Sequence, residues 1–168
     1  MQFNNVIMRK IILQSTITEY NKPSDLNIED RHLLSEALKA TGNSYSPYSK
    51  FKVGAAALLS NGEIVTGSNQ ENASYPIGIC AERVTLSAIS AVHPKQKIIS
   101  IAITFKSNMK WASPVSPCGI CRQTILEYEQ RQKKNIRIIL RGDGGKIQII
   151  ETIKDILPLY FDKSVLGK

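Results

Sequence analysis

The segment Ile98 to Phe105 reads Ile-Ile-Ser-Ile-Ala-Ile-Thr-Phe, with helical periodicity on either side of it. An apolar strand between two helices demands a sheet whose faces are both covered. Upstream, Val84, Ala88 and Ala91 fall at helical spacing, predicting a helix from about Cys80 to Val92. Downstream, after a loop with Trp111 and Pro114, Pro117-Cys118 opens a second helix, and Cys118, Cys121, Ile125 and Tyr128 share one face of it. An earlier helix starts at Asn27, which can cap it, with Asp30 three residues on. It carries Leu33, Leu34, Ala37 and Leu38 and stops near Gly42.

The remaining strands pair as hairpins. Lys52 to Ser60 and Glu63 to Gly67 flank Asn61-Gly62, a type I′ turn signal. Ile136 to Leu140 and Ile147 to Ile150 flank Asp143-Gly144-Gly145, and a short helix from Thr152 to Leu157 ends at Pro158. Residues 9 to 20 alternate weakly, as an edge strand or an ordered tail. The order α-β-β-α-β-α-β-β-α predicts an α/β fold, a three-layer αβα sandwich on a mixed sheet of about five strands. With 168 residues, 42% of them hydrophobic, a single domain is expected over 1–168, with 1–26 as an amino-terminal extension.

Only three cysteines occur, at 80, 118 and 121. An odd count with one C-x-x-C pair makes a poor disulfide framework and suits a metal or redox role. Three thiolates leave one position open on a tetrahedral zinc, as a hydrolytic metal requires; a structural zinc would want a fourth ligand, for which only His32 and His93 are spare. Both cysteine elements lie at predicted helix starts, where free N–H groups and the positive dipole end favour anionic sulfur. Glu82, two residues past Cys80, is close enough to act as general base and acid on the attacking water. Two helical positions differ by about 200° in direction, so Cys80 and Glu82 must share an irregular first turn. Arg83 either offsets the excess thiolate charge or is a helix-surface residue. The ordered set Cys80-x-Glu82 and Pro117-Cys118-x-x-Cys121 matches the described pattern of zinc deaminases.

Lysine and arginine number 22 against 14 acidic residues, a net charge of +8. The cations are spread along the chain, except for Arg131 to Lys134, which fit the carboxyl end of a helix. Aromatics are 7% and unclustered with Lys or Arg, which argues against a nucleic-acid groove. No apolar run is long enough for a membrane span, and the polar amino terminus does not read as a secretory signal. A cytoplasmic location without membrane association is expected.

From about Leu33 to Phe161 the chain resembles the homotetrameric zinc-dependent cytidine deaminase family. The stretches that carry the resemblance are Tyr48-Ser-Lys-Phe51-Lys-Val-Gly-Ala-Ala56, Asn69-Gln-Glu71-Asn72-Ala-Ser-Tyr75-Pro, Ile79-Cys80-Ala-Glu82-Arg83 and Ser116-Pro-Cys118-Gly-Ile-Cys121-Arg122-Gln123. Asp155-Ile-Leu-Pro158-Leu-Tyr-Phe161 adds a weaker fifth. The resemblance implies one Zn²⁺ per subunit on Cys80, Cys118 and Cys121, with Glu82 as proton shuttle. It implies that cytidine and deoxycytidine are hydrolysed to uridine and deoxyuridine with release of ammonia, as in pyrimidine salvage. It further implies ribose contacts from Asn69 and Glu71, packing of Phe51 on the pyrimidine, a backbone contact from Ala81, and the Ser116 carbonyl as acceptor for the departing amine. Phe161 would line a neighbouring subunit's site in a homotetramer. Without the resemblance, Asn69 and Glu71 read as ordinary loop polars and Phe51 as core. Blasticidin-type aminonucleoside deaminases share the metal motifs and stand as the alternative, with a polynucleotide cytosine deaminase behind them.

Overall fold

A computed structural model describes residues 9–108, 111, 113–142 and 145–167. Helix α1 (Ile28–Ala40) begins as the sequence indicates: the Asp30 N–H donates to Asn27 Oδ1 at 2.8 Å, and Asn27 Nδ2 donates back to Asp30 Oδ2 at 3.0 Å. Asp30 is buried and also accepts from Arg137, so the same carboxylate ties the helix to the sheet.

Six strands form one sheet: β1 (Thr18–Tyr20), β2 (Lys52–Leu59), β3 (Ile64–Ser68), β4 (Ile98–Lys106), β5 (Arg137–Arg141) and β6 (Ile147–Ile150), in the order β1-β6-β5-β4-β2-β3. Only β4 and β5 run parallel, because helix α3 (Gly119–Gln132) crosses between them; the other pairings are antiparallel. The sheet exceeds the expected five strands by β1, which lies inside the 1–26 extension. Glu19 fastens it through an ion pair with Lys146 and a hydrogen bond from Gln148.

Alternation along the strands feeds two cores. Ala56, Leu58, Ala102 and Ile139 meet α1 through Leu33, Leu34 and Ala37. Ala55, Ala57, Ile101, Ile103, Ile138 and Leu140 face α3 and helix α2 (Ala81–Val92) on the other side, through Leu86, Ile89, Ile125 and Leu126. The helices lie so close that two strand glycines have no room for a side chain. A Cβ on Gly54 would stand 2.0 Å from the Ala37 carbonyl oxygen. One on Gly67 would stand 2.5 Å from Thr85 Oγ1 and 2.7 Å from the Thr85 backbone nitrogen.

Two local expectations change. The β2–β3 turn is not type I′, which needs positive φ at both central residues; only Gly62 has it, at 86°. The Gly62 N–H donates to the Leu59 carbonyl and the Leu59 N–H to that of Glu63, so three residues, Ser60 to Gly62, bridge the strands with Gly62 in the left-handed position. The short helix expected over Thr152–Leu157 is a single 3-10 turn, Ile153–Ile156, and a second such turn follows at Lys163–Leu166. The Arg131–Lys134 cations do sit at the carboxyl end of α3, where Lys133 takes the left-handed capping conformation at φ 53°. Of the β5–β6 turn, Asp143 and Gly144 lie outside the described residues. Among the described residues no helix is long and apolar enough to cross a membrane.

Candidate active site

Cys80 and Cys118 are the N-cap residues of α2 and α3, both extended, and neither thiol caps its own helix. Extended backbone at an N-cap swings the side chain off the helix axis, which lets Cys80 turn toward Cys118 and Cys121 while Glu82 follows in the first turn. The irregular start that the Cys80/Glu82 spacing requires is therefore present. Cys121, one turn into α3, is fully buried. Its sulfur lies 3.5 Å from that of Cys118, which is 3.9 Å from that of Cys80.

These separations test the donor set. Zn–S bonds of about 2.3 Å in tetrahedral geometry place sulfurs about 3.8 Å apart. All three sulfurs lie within 4.8 Å of one another, and among the described residues no further ligand joins them. His32 is exposed on α1, and His93 faces Glu63 at 3.1 Å. The cluster fits a zinc held by three thiolates, and Cys80 and Cys118 belong to the wall of a cavity. The neighbouring Cys121 thiol is the largest cause that holds Cys80 down, to about 6, with smaller contributions from Cys118 and from the Arg83 charge, while the same pairing and burial push Cys121 up. No hydrogen bond from Arg83 to a thiol occurs among the described residues.

The cavity, roughly 550 Å³, falls within the range of about 300–1,000 Å³ usual for small-molecule sites. Glu82 lines it and is only 4% exposed, so desolvation raises its carboxyl above the ordinary range. Phe51 also lines it, stacked on Phe105 with centroids 4.9 Å apart. Asn69, Glu71 and Ser116 also line it.

The loop carrying Asn69 and Glu71 is clamped between two others. Gln70 exchanges backbone hydrogen bonds with Ile79, directly before Cys80, while Tyr45 bonds the Asn69 carbonyl and receives the Glu71 N–H. Asn69 spends most of its amide internally: Oδ1 accepts from Val53 N–H and Ser44 Oγ, and Nδ2 donates to the Phe51 carbonyl. It acts as an extra rung of the sheet that holds Phe51 in place. Glu71 accepts from the Ser49 hydroxyl and from the Tyr48 and Ser49 N–H groups, with the hydroxyl as the largest cause of its lowered pKa.

Two sequence candidates stand apart from this cavity. Ala81 is buried at the start of α2, and Phe161 is 61% exposed on the carboxyl-terminal segment; neither lines the wall. Conversely, Ser49, Gln70, Tyr75, Thr104, Phe105 and Val115 line it without having been singled out as site residues. Tyr75, which lines the cavity, stands beside Tyr48, centroids 5.8 Å apart. The signal for Ser49 was its place in the Tyr48-to-Phe51 motif; Phe105 and Val115 had none.

Comparisons with known proteins agree with this geometry. Residues 27–135 match the family model described as the cytidine and deoxycytidylate deaminase zinc-binding region. A cytidine deaminase of Halalkalibacterium halodurans is 38% identical over 129 residues, covering 77% of this chain and 91% of that protein. One from Sporosarcina psychrophila is 36% identical over 136 residues, covering 80% and 93%. The crystal structure of a cytidine deaminase from Burkholderia pseudomallei superposes with a TM-score of 0.68 at 32% identity, over 81% of this chain and all of that one. With its three-thiol cluster, buried carboxylate and six-stranded sheet, the chain belongs to the cytidine and deoxycytidylate deaminase zinc-binding family.

Proposed function

We infer that this protein hydrolyses cytidine to uridine and ammonia. The observation that carries the reading is Glu82, buried in the cavity wall beside Cys80 of the three-thiol cluster. Zinc held by Cys80, Cys118 and Cys121 supplies Lewis acidity that eases ionisation of the attacking water. Glu82 takes that water's proton and passes it to N3 of the pyrimidine as oxygen adds to C4. The second proton then goes to the exocyclic nitrogen, the C4–N bond breaks, and ammonia leaves. A carboxyl with its pKa raised by burial suits this traffic, because desolvation makes its carboxylate a better proton acceptor than an exposed one.

The wall residues are given their roles by the same reading. Phe51, backed by Phe105, packs on the base, and the Ser116 carbonyl receives the amine. Glu71 and the remaining Asn69 N–H recognise the ribose hydroxyls, and the Ala81 backbone contacts the base. Arg83 tempers the thiolate charge. Deoxycytidine is proposed as a second substrate, in pyrimidine salvage in the cytoplasm. Phe161, exposed and away from its own cavity, supports a homotetramer in which it serves a neighbour's site. The test is ammonia release from cytidine, with Glu82→Ala at equal zinc content beside the wild type. Turnover lost in the variant supports the reading; no turnover by zinc-loaded wild type overturns it.

A further inference from the structure

Arg122 follows Cys121 by one residue and has no ion-pair partner among the described residues. Its guanidinium is spent on backbone carbonyls instead. Nε donates to the Pro117 carbonyl at 2.8 Å, and Nη1 donates to the Ile156 carbonyl at 2.7 Å. Its own N–H donates to the Cys118 carbonyl at 2.9 Å. One residue therefore fixes two successive peptide units, those of Pro117 and Cys118, at the point where the chain turns from the cavity wall into α3. Ser116 and Cys118, on either side of buried Pro117, both line the cavity. The neighbouring Gln123 donates from Nε2 to the Phe161 carbonyl at 2.9 Å. Consecutive residues of the metal-bearing helix thus hold both ends of the segment 156–161.

We propose that Arg122 is a positioning residue for the reaction: it sets the orientation of the Ser116–Cys118 turn at the reacting end of the cavity and registers the carboxyl-terminal segment on the same helix. Carbonyls from two separate segments converge on one planar fork, which an ammonium, with a single compact head, cannot reproduce. The ribose-facing residues Asn69 and Glu71 sit on a different loop with their own bonds and do not depend on it. Its loss therefore acts on the chemical step and on metal retention, and much less on substrate binding.

The inference rests on the cytidine deaminase reading, so one readout is independent of turnover. Arg122→Lys and Arg122→Ala are compared with wild type for kcat and KM on cytidine at equal zinc content. The rate of zinc transfer to a chromophoric chelator is measured on the same samples, and added guanidinium is tried as rescue of Arg122→Ala. Losing charge-assisted hydrogen bonds that hold reacting groups in place lowers kcat about tenfold or more in both variants. KM changes by less than about threefold, since the ribose contacts remain. Zinc transfer quickens, and millimolar guanidinium recovers part of the lost kcat. Wild-type kcat and zinc-transfer rates in Arg122→Lys overturn the proposal. So does a loss in Arg122→Ala that follows its melting temperature alone and resists guanidinium. If Arg122→Ala does not fold, Arg122→Lys decides. If wild type itself shows no turnover, the functional reading falls, and the zinc-transfer comparison still decides the positioning role.

Discussion

The close approach of α2 to β3 makes Gly67 a sensitive handle on the active site. In Gly67→Ala the new Cβ would meet the Thr85 backbone nitrogen at 2.7 Å and Thr85 Oγ1 at 2.5 Å. Thr85 cannot simply rotate away, because it is buried and its hydroxyl donates to the Ala81 carbonyl at 2.9 Å. To reach ordinary contact near 3.4 Å, the helix backbone must recede by about 0.7 Å. The first turn of α2, with Cys80 as its cap and Glu82 inside it, moves with Thr85. Overpacking of this kind costs about 1–3 kcal/mol, partly offset by the smaller entropy of an unfolded alanine. At this chain length the melting temperature falls by about 2–8 °C. A shift approaching 1 Å at the reacting groups lowers kcat by about 10- to 100-fold. Thermal unfolding and cytidine turnover at equal zinc content measure both, with Gly42→Ala as control, since no heavy atom lies within 4 Å of its Cβ position. If Gly67→Ala melts with the wild type and keeps its kcat, the steric argument is wrong.

Two other perturbations follow from buried groups. Glu129, 3% exposed, accepts the N–H groups of Ile136 and Ile153 and the Thr152 hydroxyl, so Glu129→Ala strands two buried donors and costs about 3 kcal/mol in urea unfolding. Chelator-stripped protein should alkylate at Cys80 with a midpoint near pH 6, held down chiefly by the neighbouring Cys121 side chain; reactivity persists above that pH and fades below it. Zinc should protect the thiol, and Cys121→Ala, which removes that neighbour, should move the midpoint toward the ordinary thiol value of about 8.5. A stripped wild type with a midpoint already there would remove Cys121 from the account.

The helices were legible because caps and apolar spacing are local: Asn27 with Asp30, and the start of α3 after Pro117, could be read within a few residues. Cys80, Glu82, Cys118 and Cys121 were legible because thiol chemistry limits what such a set can do. The sixth strand was ambiguous because Thr18–Tyr20 pairs with Ile147–Ile150, and nothing near residue 20 announces that partner. The β2–β3 turn misled because Asn-Gly favours type I′, while the strands close one residue earlier, through the Leu59–Glu63 bond, and leave a three-residue loop. Asn69 reads in the sequence as a ribose contact or a loop polar, and only the folded chain shows its amide completing the β2 ladder. The fork of Arg122 across Pro117 and Ile156 joins segments far apart in sequence, which spacing cannot reveal.

The pairing of β1 with β6 also sets an order of events. Thr18 opposes Ile149, so the two sides of this ladder are separated by almost the whole chain. During synthesis the residues of β1 emerge long before those they will bond, and every other strand is complete by the time β6 follows β5 from the ribosome. Closing so large a loop is favourable only once the sheet exists to receive it. The earliest strand to be made is thus the last to be placed, and until then Ile11, Ile12 and Leu13, all exposed even in the folded protein, travel on an untethered arm.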